Sequence, residues 1–231
     1  MITIIIIIII ITIVLLLGQH VMLVMKPLHL SLSTMHFVII PLQHIPSTLQ
    51  ADEEVTLEIE RYKSCLRRLF EADGKIPLFV ETSCHHSKNP HACIDVIPIK
   101  AGLESDARMY FTEAFNSCDE EWAQHKKLIY VTTDRPLKNA IPKHFPYISI
   151  EWSECDDKRG SYGLAHAIEN DSRFSRDFCL DVIAGMLKKD PMRTRYKLTT
   201  DLQKEKSRIE KIKEAFDHYD WVKYMNVANE D

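Results

Sequence analysis

The chain has 231 residues, of which 45% are hydrophobic and 27% charged, a composition typical of a globular protein that buries one large core or two smaller ones. Its net charge of −4 excludes a surface that binds polyanions over its whole extent, so a nucleic-acid site must be a local patch. The six cysteines have no C-x-x-C spacing, which excludes a dense disulfide framework and favours free thiols in a reducing compartment.

The first feature in chain order is an apolar segment at residues 4–17, which contains eight consecutive isoleucines and is interrupted only by Thr12. A membrane-spanning helix needs about 20 apolar residues, and the chain has no basic residue before Lys26. Three interpretations stay open: a short membrane anchor, a signal-like segment, or low-complexity sequence from a faulty gene model. We treat residues 1–17 as a separate low-complexity segment and expect no membrane partner.

The pattern from residue 18 to residue 105 predicts a first α+β domain. A helix is expected over 52–72, because Val55, Ile59 and Tyr62 begin a series of apolar residues at three- and four-residue spacing. Asp73-Gly74 ends it. Strands are predicted at 21–25, 36–42, 78–81 and 93–99, the last two joined by a polar loop at 82–90. This order of elements favours an antiparallel sheet.

Residues 106–231 are predicted to form a second, smaller α+β domain. The expected helices are 107–118, 177–188 and 202–216, and the expected strands are 128–132, 147–152 and 164–168. No internal repeat of fixed period is present in the sequence.

The segment from His91 to Asp95 is the first candidate for chemistry. If it is a strand, His91, Cys93 and Asp95 share one face, and an imidazole, a thiol and a carboxylate then line one surface. On spacing alone the pattern favours a buried, inert Cys93 over a nucleophile. Cys84 and His86 are weak candidates for zinc ligands, because their spacing fits no ordinary finger.

Basic residues concentrate late in the chain. From 188 to 213 there are ten Lys and Arg residues against four acids, a local excess that could contact phosphates or could be a solvated helix face. The residues from 204 to 213 alternate with acids, which favours weak surface pairs. The preferred RNA-binding candidates are therefore Lys188, Lys189, Arg193, Arg195, Tyr196 and Lys197, with Tyr196 placed to stack a base.

Several segments, in this order, resemble the two C-terminal domains of the CwfJ family. They are HFVIIPLQH, DEEVTLEIERYKSCLRRLF, LFVETS, PHACIDVIPI, CDEEWAQHKKLI, IPKHFPYISIEW, GLAHAIEN, DVIAGML and FDHYDWV, which together span about residues 18–222. The resemblance implies an α+β fold whose first domain has a HIT-like antiparallel sheet with a helix. The C-x-x-C region that the family carries upstream is replaced here by the isoleucine segment, which favours a first domain truncated at its N-terminus.

The resemblance also implies a relic nucleotide pocket. HIT enzymes carry His-x-His-x-His on a strand, and here only His91 matches, with Cys93 and Asp95 in the other two places. A carboxylate at that place repels phosphate, so hydrolysis is not expected. The pocket is predicted to comprise His36, His44, His91, Cys93 and Asp95.

The function implied by the resemblance is that of a nuclear, non-catalytic factor of late spliceosomes and intron-lariat turnover. Its expected partners are spliceosomal proteins, the lariat-debranching enzyme, and intron-lariat or other RNA, and no cofactor is expected. Two alternatives stay open: a HIT-type nucleotide or phosphodiester hydrolase that uses His91 and Cys93, and a membrane-anchored protein of unknown role.

Overall fold

A computed structural model describes residues 14–84, 90–117, 128–152, 161–169, 174–196 and 201–216. These residues form a mixed α+β structure around one antiparallel sheet. The strands are β1 (Val14–Leu17), β2 (Val21–Met25), β3 (Phe37–Pro41), β4 (Lys75–Ser83), β5 (Ile94–Lys100), β6 (Ile129–Thr132), β7 (Tyr147–Glu151) and β8 (Ser161–Ala167). The helices are α1 (Glu53–Glu71), α2 (Glu104–Asn116), α3 (Leu137–Ala140), α4 (Phe178–Met186), α5 (Met192–Arg195) and α6 (Leu202–Phe216), with short 3-10 turns at Leu28–Leu30 and Thr48–Gln50.

The eight described strands lie in the order β1-β2-β3-β5-β4-β7-β8-β6, and every neighbouring pair is antiparallel. The longest ladder joins β4 to β5, where Lys75 lies opposite Lys100 and Glu81 opposite Ile94. The other edge of β4 pairs with β7, which brings Phe79 opposite Glu151. The sheet therefore continues without a break from the first half of the chain into the second.

Helix α1 covers one face of the first half of the sheet. Asp52 caps its N-terminus by accepting a hydrogen bond of 3.0 Å from the Val55 backbone N–H. The Glu58 carboxylate accepts from the backbone N–H groups of His20 and Val21 and so fastens the β1–β2 turn. Gly18 lies against it, where a Cβ atom would meet a Glu58 carboxylate oxygen at 1.8 Å.

Two apolar cores lie on opposite faces of β4 and β5. Phe79, Ile94 and Val96 pack into the core under α1, whereas Leu78, Val80 and Ile97 pack into the core under α2 and α4. Burial of both faces explains why the middle of each strand, Ile76–Val80 in β4 and Val96–Ile99 in β5, is a continuous apolar run. The sheet is thus covered on both sides at its centre.

Two buried polar clusters lie where β4 meets β7. The Lys63 ammonium of α1 contacts the Glu151 carboxylate of β7 at 2.8 Å. The buried Glu81 carboxylate accepts hydrogen bonds from the Thr48 backbone N–H, at 2.8 Å, and from the Thr48 hydroxyl. Burial alone would lower the pKa of Lys63, but its two carboxylate neighbours outweigh burial and raise it. The contact of Lys63 with Glu151 ties the two halves together beside the β4–β7 ladder.

The predicted α+β class is confirmed, and the described elements lie within a few residues of their predicted bounds. Strand β5 begins at Ile94 and not at residue 93, while β4 is longer than expected and begins at Lys75. The prediction assigned residues 1–17 to one low-complexity segment, but Val14–Leu17 forms strand β1, paired with β2. Because β1 is as apolar as the isoleucine run before it, the composition does not change at residue 14, and the sequence gives no sign that a strand begins there. Residues 1–13 lie outside the described residues.

The division into domains at 18–105 and 106–231 stays a prediction. In the structure, strands of both halves lie in one sheet. Within the described ranges, no helix has the length and apolar character needed to cross a membrane.

Candidate functional site

A cavity of about 370 Å³ lies on the face of β4 and β5 that α4 covers. Its floor is formed by alternate residues of the two strands and of the segments that extend them. The start of α4 closes it from the second half of the chain. The lining residues used below are Lys26, Thr82, Cys84, His91, Cys93, Asp95, Arg176 and Asp177.

Asp95 is the charged centre of the cavity. Its Oδ1 lies 2.5 Å from the Lys26 Nζ and 2.8 Å from the His36 Nε2, and its side chain is only 15% exposed. Burial alone would raise the pKa of Asp95, but the charge of Lys26 and the hydrogen bond from His36 outweigh burial and lower the pKa to about 2. The carboxylate is therefore ionised at neutral pH and held in a fixed position.

His36 is fully buried and neutral. Burial lowers the pKa of its imidazole more than the Asp95 carboxylate raises it. The backbone N–H of Leu32 donates to Nδ1 at 3.2 Å, so the ring proton is on Nε2 and is donated to Asp95. His36 therefore orients the Asp95 carboxylate and is not available as a general base.

His91 and Cys93 are the first and central residues of the His91–Cys93–Asp95 motif. The His91 Nε2 lies 2.9 Å from the Pro41 carbonyl oxygen, and its ring packs edge-on against His44 with centroids 5.0 Å apart. Burial, together with the nearby Asp95 carboxylate, raises the pKa of the Cys93 thiol to about 12. The thiol is thus protonated at neutral pH, and a protonated thiol is a poor nucleophile.

The structure brings all five residues predicted for the pocket close together. His91, Cys93 and Asp95 line one cavity, His36 bonds to Asp95, and His44 packs against His91. The sequence reasoning missed Lys26 and Arg176, which also line the cavity. Lys26 follows directly after a predicted strand and could have been considered as a partner of Asp95. Arg176 lies far away in sequence, and no local pattern places it there.

The two weak metal candidates have different outcomes. Cys84 lines the same cavity and is buried, whereas His86 lies outside the described residues. In the part of the chain that the structure describes, no group of three or more His, Cys, Asp or Glu side chains could hold a metal ion.

The basic residues around α5 divide into two groups. Arg195 uses its guanidinium to donate to the carbonyl oxygens of Ser31, at 2.8 Å, and Asp190, at 3.1 Å. The Lys189 Nζ donates to the Leu32 carbonyl at 2.6 Å. These two side chains fasten the end of α4 and helix α5 to the loop between β2 and β3.

The remaining candidates near α5 face solvent. Lys188 and Arg193 are exposed, and Tyr196 is 56% exposed with its hydroxyl 2.8 Å from the Asp177 Oδ1. Lys197 lies outside the described residues. The group proposed for a ligand consists of Lys188, Arg193 and Tyr196, because Lys189, although exposed, donates to the Leu32 carbonyl.

The expectation of weak surface pairs over residues 204–213 is wrong for Glu205 and Arg208. Both side chains are 10% exposed and form an ion pair at 3.0 Å. The Glu205 carboxylate accepts from the Leu28 backbone N–H, and Arg208 donates to the Lys26 carbonyl at 2.7 Å. Helix α6 is amphipathic and docks on the fold, which the mixed charges of its sequence concealed.

Two family descriptions match consecutive parts of the chain. The family "Protein similar to CwfJ C-terminal" matches residues 11–112, and "Protein similar to CwfJ C-terminus 2" matches residues 121–222. The first match begins before β1 and includes Asp95 and its partners. The chain therefore belongs to the CwfJ C-terminal family, as its ordered motifs predicted.

Within that family the chain is similar to CWF19-like protein 2 from several animals. It is 34% identical over 190 residues to the CWF19-like protein 2 homolog of Caenorhabditis elegans, a match that covers 82% of this chain and 39% of the relative. It is 29% identical over 197 residues to the human CWF19-like protein 2, covering 85% of this chain and 21% of the relative. The chain thus spans well under half the length of these relatives.

More distant matches include a yeast protein and one solved structure. The Schizosaccharomyces pombe protein named Pre-mRNA-splicing factor cwf19 is 28% identical over 213 residues, covering 89% of this chain and 32% of that protein. A Hit-like protein from Bartonella henselae matches 39% of this chain and 71% of its own with 20% identity and a TM-score of 0.30.

Proposed function

We propose that this chain is a non-catalytic binding module of a nuclear pre-mRNA splicing factor. The name of the Schizosaccharomyces pombe relative supports a role in splicing. The observation that carries the non-catalytic part is the state of the cavity side chains. Cys93 has a pKa of about 12, and Asp95 is held as a carboxylate by Lys26 and His36.

Among the described residues that line this cavity, Cys93 is the candidate nucleophile for phosphoryl transfer, and its thiol is protonated. A HIT-type reaction needs a neutral imidazole at the central motif position, and the chain has the protonated Cys93 thiol there. The ionised Asp95 occupies the Lys26 ammonium, which is then not free to bind a phosphate at the cavity floor. With Cys93 protonated and Asp95 paired, the cavity is suited to binding a ligand without reacting with it, or to packing the two halves of the fold together.

The proposed ligand is intron-lariat or other RNA, gripped by the exposed group Lys188, Arg193 and Tyr196. These are two exposed cations and an exposed aromatic ring within one short stretch of the chain, and such groups suit a phosphate and a stacked base. Spliceosomal proteins, and the lariat-debranching enzyme among them, are the proposed protein partners. The role in lariat turnover rests on these contacts.

The test is a comparison of two variants that each remove two positive charges but at different positions. Lys188→Ala together with Arg193→Ala should weaken binding of single-stranded or branched RNA about tenfold and reduce the salt dependence by about two phosphate contacts. The matched control, Lys204→Ala with Lys211→Ala, removes two exposed cations of α6 and should leave binding nearly unchanged. Fluorescence anisotropy over a salt series measures both quantities. Equal losses in the two variants would contradict a local RNA site.

The same preparations test the absence of catalysis. No turnover of adenosine phosphoramidate or of dinucleoside polyphosphates is expected, with product detected by anion-exchange chromatography. Turnover that disappears in Cys93→Ser would refute the binding-module proposal and support a thiol nucleophile.

A further inference from the structure

A second cavity, of about 590 Å³, runs along the last strand of the sheet. One wall consists of Leu128, Ile129, Tyr130 and Thr132, which are close together in sequence. Successive residues of a strand point to opposite faces, so a cavity lined by both faces follows the edge of the strand. The opposite wall is formed by the segment from α3 to Phe145.

Strand β6 is an edge strand in the described part of the sheet. It pairs with β8 on one side and ends the strand order. An edge strand presents backbone N–H and C=O groups that another extended chain can pair with. At the end of β6, Thr132 pairs both its backbone N–H and its C=O with Arg135. The backbone groups that this edge offers to another chain are therefore those of the residues before Thr132, and they lie beside the side-chain pockets of the groove.

The floor and the rim of this groove differ in chemistry. The floor is aliphatic, with Ile141 2% exposed and Ile129 8% exposed. The rim is formed by the facing segment and carries three exposed cations: Arg135 lines the groove, Lys138 lies on α3, and Lys143 lies between α3 and Phe145. None of the three cations has an ion-pair partner among the described residues, although the whole chain has a net charge of −4.

We propose that the β6 groove, defined as the edge of β6 and the facing segment 135–145, binds an extended acidic peptide by strand addition. The peptide would pair with β6, place alternate apolar side chains on the aliphatic floor, and direct its carboxylates to Arg135, Lys138 and Lys143. Charge complementarity makes the occupant acidic, and the open edge makes it a strand. Tyr130 and Phe145 also line the groove, so an oligonucleotide is included as the competing ligand in the test below. The inference rests on the proposed role as a binding module and adds a second surface to it.

The experiment uses a fluorescein-labelled ten-residue peptide of alternating glutamate and valine as the probe. A control peptide carries proline in place of its two central valines and so lacks two backbone donors. Saturable binding is expected for the first peptide and at least tenfold weaker binding for the second. On binding, the amide hydrogens of β6 should exchange more slowly, as measured by mass spectrometry.

Two charge-reversal variants, one on the rim of the groove and one on α6, test whether the peptide binds at the β6 groove. Arg135→Glu with Lys138→Glu should weaken peptide binding by about tenfold or more, whereas Lys204→Glu with Lys211→Glu, which changes the net charge equally, should not. Circular dichroism checks that each variant is folded. Equal loss in both variants, equal affinity of the proline peptide, or no saturable binding up to about 1 mM peptide would overturn the proposal.

Two further arms separate this proposal from the RNA proposal. Lys188→Ala with Arg193→Ala should bind the acidic peptide normally, even though its RNA binding is reduced. A labelled ten-nucleotide oligouridylate should not displace the peptide. Displacement by the oligonucleotide, lost on Arg135→Glu with Lys138→Glu, would show that the groove is a nucleic-acid site and would refute the peptide proposal.

Discussion

Asp95 shows how a buried charge can hold neighbouring strands of a fold together. The carboxylate lies in a cavity where burial raises its pKa, and Lys26 and His36 outweigh burial and lower the pKa. Lys26 lies just beyond β2 and His36 just before β3, so the cluster links three neighbouring strands. The Asp95 carboxylate thus helps to hold these strands together.

The first prediction concerns Asp95→Asn. A shift of the pKa from 3.8 to about 2 corresponds to about 2 kcal/mol of stability, because one pKa unit is about 1.4 kcal/mol. The folded pKa is below the unfolded one, so this stabilisation is present above about pH 4 and is lost as the pH falls towards 2. We therefore expect urea denaturation to show Asp95→Asn destabilised by about 2 kcal/mol at pH 7, with the difference shrinking below pH 4.

A matched control for this prediction is Asp73→Asn. Asp73 also contacts a lysine, Lys75, but its side chain is 58% exposed, so little change is expected at any pH. If the difference between the wild type and Asp95→Asn is the same at pH 7 and pH 2, the charge of Asp95 is not its cause.

At the scale of elements, α6 is the helix whose role the sequence concealed most. Ile209, Ile212 and Phe216 enter the core under α1, and Phe216 packs edge-on against Phe37 with centroids 6.4 Å apart. Helix α6 belongs to the second half of the chain but packs on the core of the first half. It therefore joins the C-terminal part of the described chain to the N-terminal part of the sheet.

The second prediction concerns Phe216→Ala. Removing a large buried aromatic side chain leaves a cavity, and the free energy of unfolding should fall by about 3 kcal/mol or more. Glu214→Ala changes an exposed position two residues earlier and should have little effect. Hydrogen exchange should accelerate first in α6 and only later in β4 and β5. A loss below about 1 kcal/mol would mean that α6 is not held by this contact.

Local patterns were sufficient for most elements and insufficient for their assembly. Helix α1 was predictable because its apolar period is long and its end signals are clear. Strand β3 was predictable because it is a short run rich in β-branched residues. Strand β1 was not, because Val14–Leu17 adjoins an isoleucine run with the same hydrophobicity. The contact of Arg195 with Ser31 and that of Lys26 with Asp95 link residues distant in sequence, and no spacing rule encodes them. The pocket residues were found through family resemblance, not through pattern alone.

At the scale of the whole molecule, the question is whether two family regions make two folding units. The matches at 11–112 and 121–222 suggest a division, whereas the β4–β7 ladder, the Lys63–Glu151 ion pair and the docking of α6 cross it. Non-local contacts of this kind couple the unfolding of the segments they join. The Lys63–Glu151 pair that crosses the division is buried, so removing one partner leaves an uncompensated buried charge, which is costly.

The last prediction is that the chain unfolds in one cooperative transition. Calorimetry should give a single peak, and hydrogen exchange of β2–β3 and of β8 should report the same free energy of global opening. Lys63→Met removes one partner of a buried ion pair and leaves the Glu151 carboxylate, 17% exposed, without its nearest cation. We expect it to cost about 3 kcal/mol or more and to lower the stability of both halves together, whereas Lys75→Met, at an exposed pair, should change little. Two peaks, or a Lys63→Met effect confined to one half, would instead make the boundary near residue 105 a true division between independent domains.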